Sequence, residues 1–136
     1  MEFNTQICTT KEQSKRLIDL GLNLNTSDMH HYRWSEGYWV IESCPPRGSN
    51  SNFIPAWSLH RLIDILPDEI EWVSDIQSHT SYYHPVFYKD KIKYTDMEGW
   101  KHVFSDKDNI YDNIIDCIEW LIKKKYFNKE YLKKEE

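Results

Sequence analysis

The stretch IYDNIIDCIEWLIKK, residues 110–124, carries the strongest structural signal in the chain. Its apolar residues recur every three or four positions, a spacing that places them on one wide face of a helix. Asp108 can cap the start of this helix, and the lysines from 123 onward lie at its negative end. The apolar face consists of Tyr111, Ile114, Ile115, Ile118, Leu121 and Ile122. Because such a face must be covered, we expect it to pack on one of two partners. These are the middle helix, through Leu59, Leu62 and Leu66, or the sheet face that bears Ile70, Trp72 and Ile76.

An earlier helix is predicted over residues 11–20. Thr9 and Thr10 each have a Glu or Gln three positions later, so both can form a capping box at its start. Gly21 supplies the left-handed residue with which a Schellman motif ends a helix. Such a motif places an apolar contact between Leu17 and Leu22, and both positions are leucine.

A middle helix is predicted over residues 59–66. Its apolar residues lie at positions i, i+3, i+4 and i+7, the pattern of a helix with one buried face. Pro55 suits the start of this helix, and Pro67 ends it because proline lacks the amide donor that a helix interior needs.

The remaining periodic segments predict strands. Aromatic and β-branched residues fill a hairpin around Gly37, and apolar and polar residues alternate after Pro67. The strand segments are residues 29–34, 38–43, 70–76, 86–89, 91–95 and 100–104. Since helices and strands do not alternate regularly, we predict an α+β fold. Three main helices should pack on a mostly antiparallel sheet of about five to six strands.

Composition predicts one cytoplasmic domain. The chain has 136 residues, with 17 basic and 22 acidic side chains and a net charge of −5. We expect residues 1–125 to form a single α+β domain and residues 126–136 a basic amphipathic tail that frays at its last four residues, 133–136. The sequence starts without a basic and apolar leader, and no apolar run is long enough to span a membrane. Three widely spaced cysteines predict free, buried thiols in a reducing compartment: Cys8, Cys44 and Cys117.

Catalytic and cofactor motifs are missing from the sequence. The four glycines are far apart, which excludes a dinucleotide fingerprint, a P-loop and a G-x-S-x-G nucleophile elbow. None of the six histidines lies in an H-E-x-x-H or H-x-H motif, and His30 and His31 should face opposite ways on a strand. We therefore predict no catalytic residue, cofactor or metal. The alternative is a small metal-dependent or hydrolytic enzyme, for which His79, His84 and His102 form the best available ligand set.

Two surfaces are candidates for binding. Tyrosine is enriched at binding hot spots, and five side chains in and after a predicted polar loop could form a recognition surface. They are Tyr82, Tyr83, His84, Tyr88 and Tyr94. The second candidate is the basic tail, with Lys123, Lys124, Lys125 and Lys129. Lysines interleaved with aromatic residues could neutralise phosphates and stack bases. Lysines at the end of a helix more commonly complement its dipole.

The charge distribution disfavours nucleic acid as a partner. Residues 62–122 hold 13 acidic and five basic side chains, so this region should repel a phosphate backbone. A protein partner fits an acidic, tyrosine-rich surface better. The main hypothesis is therefore a non-enzymatic protein that acts through protein–protein interaction.

Three segments together resemble a known family. They run QSKRLIDLGLNLNTSDM over residues 13–29, IPAWSLHRLIDILP over 54–67 and YDNIIDCIEWLI over 111–122. As a set they are similar to small uncharacterised proteins of phages, prophages and mobile elements of anaerobic gut bacteria. The resemblance implies a cytoplasmic accessory protein of a mobile element. It implies no activity, cofactor or catalytic residue.

Overall fold

The computed structural model describes residues 6–34, 37–43, 52–73, 80–88, 91–95 and 101–133, with backbone only at 72–73, 80–81 and 101–105. The helices are α1 (Lys11–Asp19), α2 (Leu59–Asp64) and α3 (Ile110–Lys123), with 3₁₀ turns at Leu24–Thr26 and Lys129–Tyr131. The strands are β1 (Met29–Arg33), β2 (Trp39–Glu42), β3 (Phe53–Ala56), β4 (Ile70–Val73), β5 (Thr80–Phe87), β6 (Ile92–Thr95) and β7 (Lys101–Ser105). The described chain is therefore α+β with three helices, as predicted.

The strands pair in two antiparallel sheets, so the prediction of one sheet of five to six strands is wrong. The first sheet has the order β2-β1-β3 and the second the order β4-β5-β6-β7. In the second sheet each strand pairs with its neighbours along the chain, because antiparallel pairing needs only short connections. In the first sheet β1 lies between β2 and β3, so its pairing with β3 skips one strand. The sheets belong to two compact units, Met1–Ile65 with Lys129–Glu136, and Leu66–Asn128.

Pro55 lies in β3 and does not begin the middle helix. β3 is an edge strand of the first sheet, where the missing amide donor of a proline is tolerated. Ser58 begins α2 instead, and its hydroxyl accepts a hydrogen bond from the Arg61 N–H at 3.1 Å. A hydroxyl that accepts from the first helical turn is a better cap than a proline three residues earlier.

Residues 82–84 lie within β5, so the polar loop predicted there is wrong. Tyr83 pairs with Ile70 of β4, and Pro85 pairs with Tyr94 of β6. Threonine, tyrosine, valine and phenylalanine dominate Thr80–Phe87, and these residues favour a pleated, half-buried surface.

Both ends of α1 form as predicted. Thr10 is the N-cap, and its side chain and that of Gln13 complete a capping box. At the other end the Leu22 N–H donates to the Leu17 carbonyl at 3.2 Å. Gly21 has φ +105°, and Leu17 and Leu22 are both fully buried. The Schellman motif therefore follows from residues that are local in the sequence.

Helix α3 ends in the same motif with a residue that fits it poorly. The Tyr126 N–H donates to the Leu121 carbonyl at 2.9 Å, and Lys125 adopts φ +63°. Its start is capped by Asn109 rather than by the predicted Asp108. The Asn109 side chain accepts hydrogen bonds from the amides of residues 111 and 112. Asn109 immediately precedes the first helical residue, which is the position from which a short side chain reaches those amides.

Gly21 and Lys125 both lie at positive φ in a Schellman motif, so Gly21→Ala and Lys125→Gly should have opposite effects on stability. Gly21→Ala should lower the free energy of unfolding by about 1–2 kcal/mol, because an L side chain at positive φ is strained. A Cβ at Gly21 meets nothing within 4 Å, so the cost is conformational. Lys125→Gly should raise the free energy of unfolding by up to about 1 kcal/mol by relieving the same strain. Urea denaturation measures both, and a shift of the same sign in both variants would contradict the assignment.

The core of the first unit includes Trp57. This side chain is fully buried, and its indole N–H donates to Thr26 Oγ1 at 2.9 Å. Helix α1 packs on β3. The other buried apolar side chains in the described part of residues 6–65 are Cys8, Leu17, Leu22, Met29, Ala56, Leu62 and Ile65. Residues after α3 return to this unit, where the Asn23 N–H donates to the Tyr131 carbonyl at 2.8 Å. The C-terminal segment is therefore hydrogen-bonded to the first unit as far as Lys133, whose N–H donates to the Gly21 carbonyl at 2.8 Å, and the predicted fraying of residues 134–136 lies outside the described residues.

The core of the second unit is built on α3. The helix packs on β6 and β7 of the sheet that also contains Ile70 of β4, so the sheet is the predicted one, and packing on the Ile70 strand itself stays a prediction. Five members of its apolar face are buried, namely Tyr111, Ile114, Ile115, Ile118 and Leu121, and Ile122 is half-buried. Buried Asn113 ties the preceding loop to the helix, because its side chain accepts from the Lys107 N–H and donates to the Lys107 carbonyl.

Candidate functional site

A row of aromatic side chains lies on one face of the first sheet. Tyr32 pairs with Phe53 of β3, and their ring centroids are 4.9 Å apart. Trp34 follows at the next position on the same side, with its ring 5.7 Å from that of Tyr32. Tyr38 completes the row across the hairpin and stacks on Trp34 at 6.3 Å with an interplanar angle of 20°. We call these four residues the aromatic face.

The outer end of the aromatic face is open to solvent. Trp34 is 44% exposed and Tyr38 is 56% exposed. The hairpin holds them in place, since the Trp34 N–H donates to the Tyr38 carbonyl at 2.9 Å and the Gly37 N–H donates to the Trp34 carbonyl at 2.8 Å. Two large rings fixed on a sheet can bind an apolar or flat group with little loss of side-chain entropy.

The two adjacent histidines of β1 point to opposite faces, as predicted. His30 lies at the inner end of the aromatic row, 5.5 Å from the Phe53 ring and 1% exposed. Its Nε2 is 3.3 Å from a carboxylate oxygen of Glu42. On the other face, His31 Nε2 is 2.8 Å from the Thr9 carbonyl, to which it donates. The two rings therefore cannot chelate one ion together.

The five residues predicted as a recognition surface divide between two sides of the second sheet. Tyr82, His84 and Tyr88 are exposed, at alternate positions along β5 and just beyond it. Tyr83 and Tyr94 are buried, and the Tyr94 hydroxyl donates to the Pro67 carbonyl at 2.9 Å. Only the three exposed residues could touch a partner of this unit, and for them the binding role stays a prediction.

Two of the exposed members, His84 and Tyr88, have partners within their own unit. Nδ1 of His84 is 3.2 Å from the Asp68 carbonyl, and its Nε2 is 3.8 Å from a Glu69 carboxylate oxygen. The Tyr88 ring has two ammonium groups over it, Lys91 at 5.0 Å and Lys93 at 4.6 Å. These contacts are cation–π interactions, which stabilise the strand pair locally.

The four lysines of the predicted basic tail are exposed at the end of α3 and after it. Lys123 Nζ is 3.1 Å from a Glu119 carboxylate oxygen one helical turn earlier. Lys124 and Lys125 form the C-terminal cap of α3, and Lys129 begins the following 3₁₀ turn. The ion pair and the caps are structural roles, and nucleic-acid binding by these lysines stays a prediction.

The hypotheses of a metal-dependent enzyme and of a reactive cysteine find no supporting site among the described residues. In that part of the chain no three His, Cys, Asp or Glu side chains gather closely enough to hold a metal ion. His79, the His102 side chain and Cys44 lie outside it. Burial, with a smaller effect of Asp28, raises the pKa of the Cys8 thiol from 9.0 to about 11. Cys8 is therefore a buried thiol at neutral pH and not a thiolate nucleophile.

A second buried thiol behaves in the same way. Cys117 lies on α3 and is fully buried, and burial followed by the charge of Asp116 places the pKa of its thiol well above the ordinary value. The prediction of free, buried cysteines is confirmed for Cys8 and Cys117.

The aromatic face was not among the residues singled out from the sequence. The sequence pattern that indicates it is the pair of aromatic residues at positions 32 and 34 together with the aromatic residue at position 38, across the turn. In a hairpin such positions share one face, because side chains alternate along a strand. The contribution of Phe53 depends on the pairing of β3 with β1 and has no local signal.

Comparison with protein-family models, with curated proteins and with solved structures finds no match for this chain. Across the described ranges, no helix combines the length and the apolar content that crossing a bilayer requires.

Proposed function

We propose that the protein is a non-enzymatic binding module that recognises another protein through the aromatic face. The observation that carries the proposal is the stacked and exposed pair of Trp34 and Tyr38. Tryptophan and tyrosine are the residues most enriched at hot spots of protein interfaces. Here they are held by a hairpin and backed by the rings of Tyr32 and Phe53, so little freedom is lost when a partner binds.

The charges beside the aromatic face favour a protein partner over a single-stranded nucleic acid. A nucleic-acid platform needs cationic groups that follow the phosphates. Alternation along the strands places Val40, Glu42 and Pro55 on the same face as the rings. Among the described strand residues of that face there is no lysine or arginine, and the one acidic residue would repel phosphate. Lys11 and Lys15 of α1 line a groove with Phe53 and Pro55 but not with Trp34 or Tyr38. An extended apolar segment of a protein fits this surface.

An accessory role in a mobile element, which the resemblance implies, is part of the same proposal. The described residues add no observation that favours the hydrolytic or metal-dependent alternative.

The experiment compares partner capture by three tagged forms in the native host: the natural sequence, a Trp34→Ala/Tyr38→Ala double variant, and Tyr82→Ala as a control. Tyr82 is also an exposed tyrosine on a sheet, at 48%, but it lies in the other unit. A partner that binds the aromatic face should be captured by the natural protein and by Tyr82→Ala, and lost from the double variant.

Calorimetry with the purified partner makes the test quantitative. Loss of two hot-spot rings should weaken binding by at least about thirtyfold, and Tyr82→Ala should change it less than about twofold. Equal affinity of the natural protein and the folded double variant for every partner captured would exclude the aromatic face as the binding surface.

A further inference from the structure

A groove of about 520 Å³ lies between α1 and β3 in the first unit. Its apolar part is formed by Ile18 of α1 and by Phe53, Ile54 and Pro55 of β3. Its polar part is formed by Lys11, Glu12 and Lys15, all from the first half of α1. The volume falls within the range of small-molecule sites, which are mostly apolar with a few polar groups that fix the ligand.

The lysines of the groove can reach one ligand group together. Lys11 and Lys15 are four residues apart, so they lie on the same side of α1, one turn apart. The Lys11 ammonium is held 4.5 Å from the centre of the Trp39 ring, and Lys15 is exposed. With the carboxylate of Glu12, the three charged groups leave one positive charge beside an apolar wall.

The edge of β3 disfavours an added peptide strand as the occupant. Strand addition uses backbone amide donors along the edge, and Pro55 has none. Just beyond β3, the Thr9 N–H donates to the Trp57 carbonyl at 2.9 Å, so the neighbouring segment of the chain already occupies that backbone group. A compact ligand meets neither obstacle.

We propose that the groove between α1 and β3 binds a small amphipathic monocarboxylate, an aromatic or branched aliphatic acid. Its carboxylate pairs with the ammonium groups of Lys11 and Lys15, and its apolar part covers Ile18, Phe53 and Ile54. One negative charge balances the single excess positive charge, whereas a dianion would place a second charge near Glu12. Phe53 lines this groove and also belongs to the aromatic face. The groove is tested at Lys11 and Lys15 and protein recognition at Trp34 and Tyr38, so each proposal has its own test.

The test uses two probes of the same shape and opposite charge, 2-naphthoate and 2-naphthylmethylammonium. Titration into the ¹⁵N-labelled full chain should shift the amide resonances of Lys11, Lys15, Ile18, Phe53 and Ile54 with naphthoate. The ammonium probe should bind at least about fivefold more weakly, because partly exposed ion pairs contribute modest free energies. Naphthoate affinity should also fall as salt rises.

Variants identify the groups responsible. Lys15→Gln should weaken naphthoate about threefold, and Lys11→Gln/Lys15→Gln about tenfold, with loss of the preference over the ammonium probe. Lys124→Gln/Lys129→Gln removes two exposed lysines elsewhere and should leave the affinity unchanged. Lys15 is exposed, so its single variant tests the site even if the double variant is less stable.

The proposal is overturned if neither probe binds saturably, if both bind equally, if the shifted amides lie outside α1 and β3, or if Lys15→Gln binds naphthoate like the natural protein. None of these results would alter partner capture through Trp34 and Tyr38, so the two proposals fail independently.

Discussion

Ile118→Ala is expected to lower the free energy of unfolding by about 2–5 kcal/mol, the usual cost of truncating a large core residue. The Ile118 side chain is fully buried on α3, which packs on β6 and β7. Its truncation removes apolar contacts and leaves a cavity that a packed helix–sheet interface closes only in part. Typical domains are stable by only about 5–15 kcal/mol, so the variant should melt at a clearly lower temperature.

Lys124→Ala is the matched control on the same helix. Lys124 is exposed, so its truncation should change the free energy of unfolding by less than about 0.5 kcal/mol. Urea denaturation followed by tryptophan fluorescence measures both variants. Similar midpoints for the two would mean that the buried face of α3 is assigned incorrectly.

The second large effect is a loss of stability in alkali. Burial raises the pKa of the Cys8 thiol from 9.0 to about 11 and raises the pKa of the Cys117 thiol further. Burial, followed by the charges of Cys117 and Asp68, also raises the pKa of the Tyr94 hydroxyl well above its ordinary value. All three groups are nearly or fully buried, at 2%, 0% and 1% exposure for Cys8, Cys117 and Tyr94.

Stability falls in alkali because the folded state keeps the protons of these three groups to a higher pH than the unfolded state does. Below about pH 9 both states are protonated, and the contribution of these groups to stability is fully present. As the pH rises above 9, the thiols of the unfolded chain ionise first, so folding becomes less favourable. Cys8 stops adding to this loss above its folded pKa of about 11, whereas Cys117 and Tyr94 continue beyond it. Each group contributes up to about 1.4 kcal/mol per pH unit.

Urea denaturation at pH 8, 9, 10 and 10.5 measures this loss. We expect the free energy of unfolding to fall ever more steeply across the series. Cys117→Ala should reduce the slope by close to 1.4 kcal/mol per pH unit, the value for one proton. The slope is the quantity to compare, because Cys117→Ala also lowers stability at every pH. Lys124→Ala should keep the slope of the natural protein. A flat profile from pH 8 to 10.5 would show that the thiols are not protected in the folded state.

The sequence by itself determined the features that depend on neighbouring residues. The capping box at Thr10, the Schellman motif around Gly21 and the apolar face of α3 all link residues within about five positions. Once the local backbone is helical, the side chains and backbone groups that form these features are already close together, so no distant residue is needed. The α+β class followed from the order of such segments.

Local rules failed where two patterns competed within one segment. Pro55 and Asp108 are each acceptable near a helix start, but Ser58 and Asn109 lie closer to the first free amides and form the caps. Similarly, serine and histidine beside Tyr82 indicated a loop, and the pairing of β5 with strands on both sides overrode that preference.

The tertiary structure alone decided how strands are shared between sheets and which aromatic rings are exposed. Tyr82 and Tyr83 are adjacent and chemically identical, yet one is 48% exposed and the other 8%, because the register of β5 turns them to opposite faces. Phe53 meets Tyr32 only because β3 pairs with β1 across some twenty residues of chain. Such pairings depend on the burial and backbone hydrogen bonding of the whole sheet, which no local sequence pattern encodes.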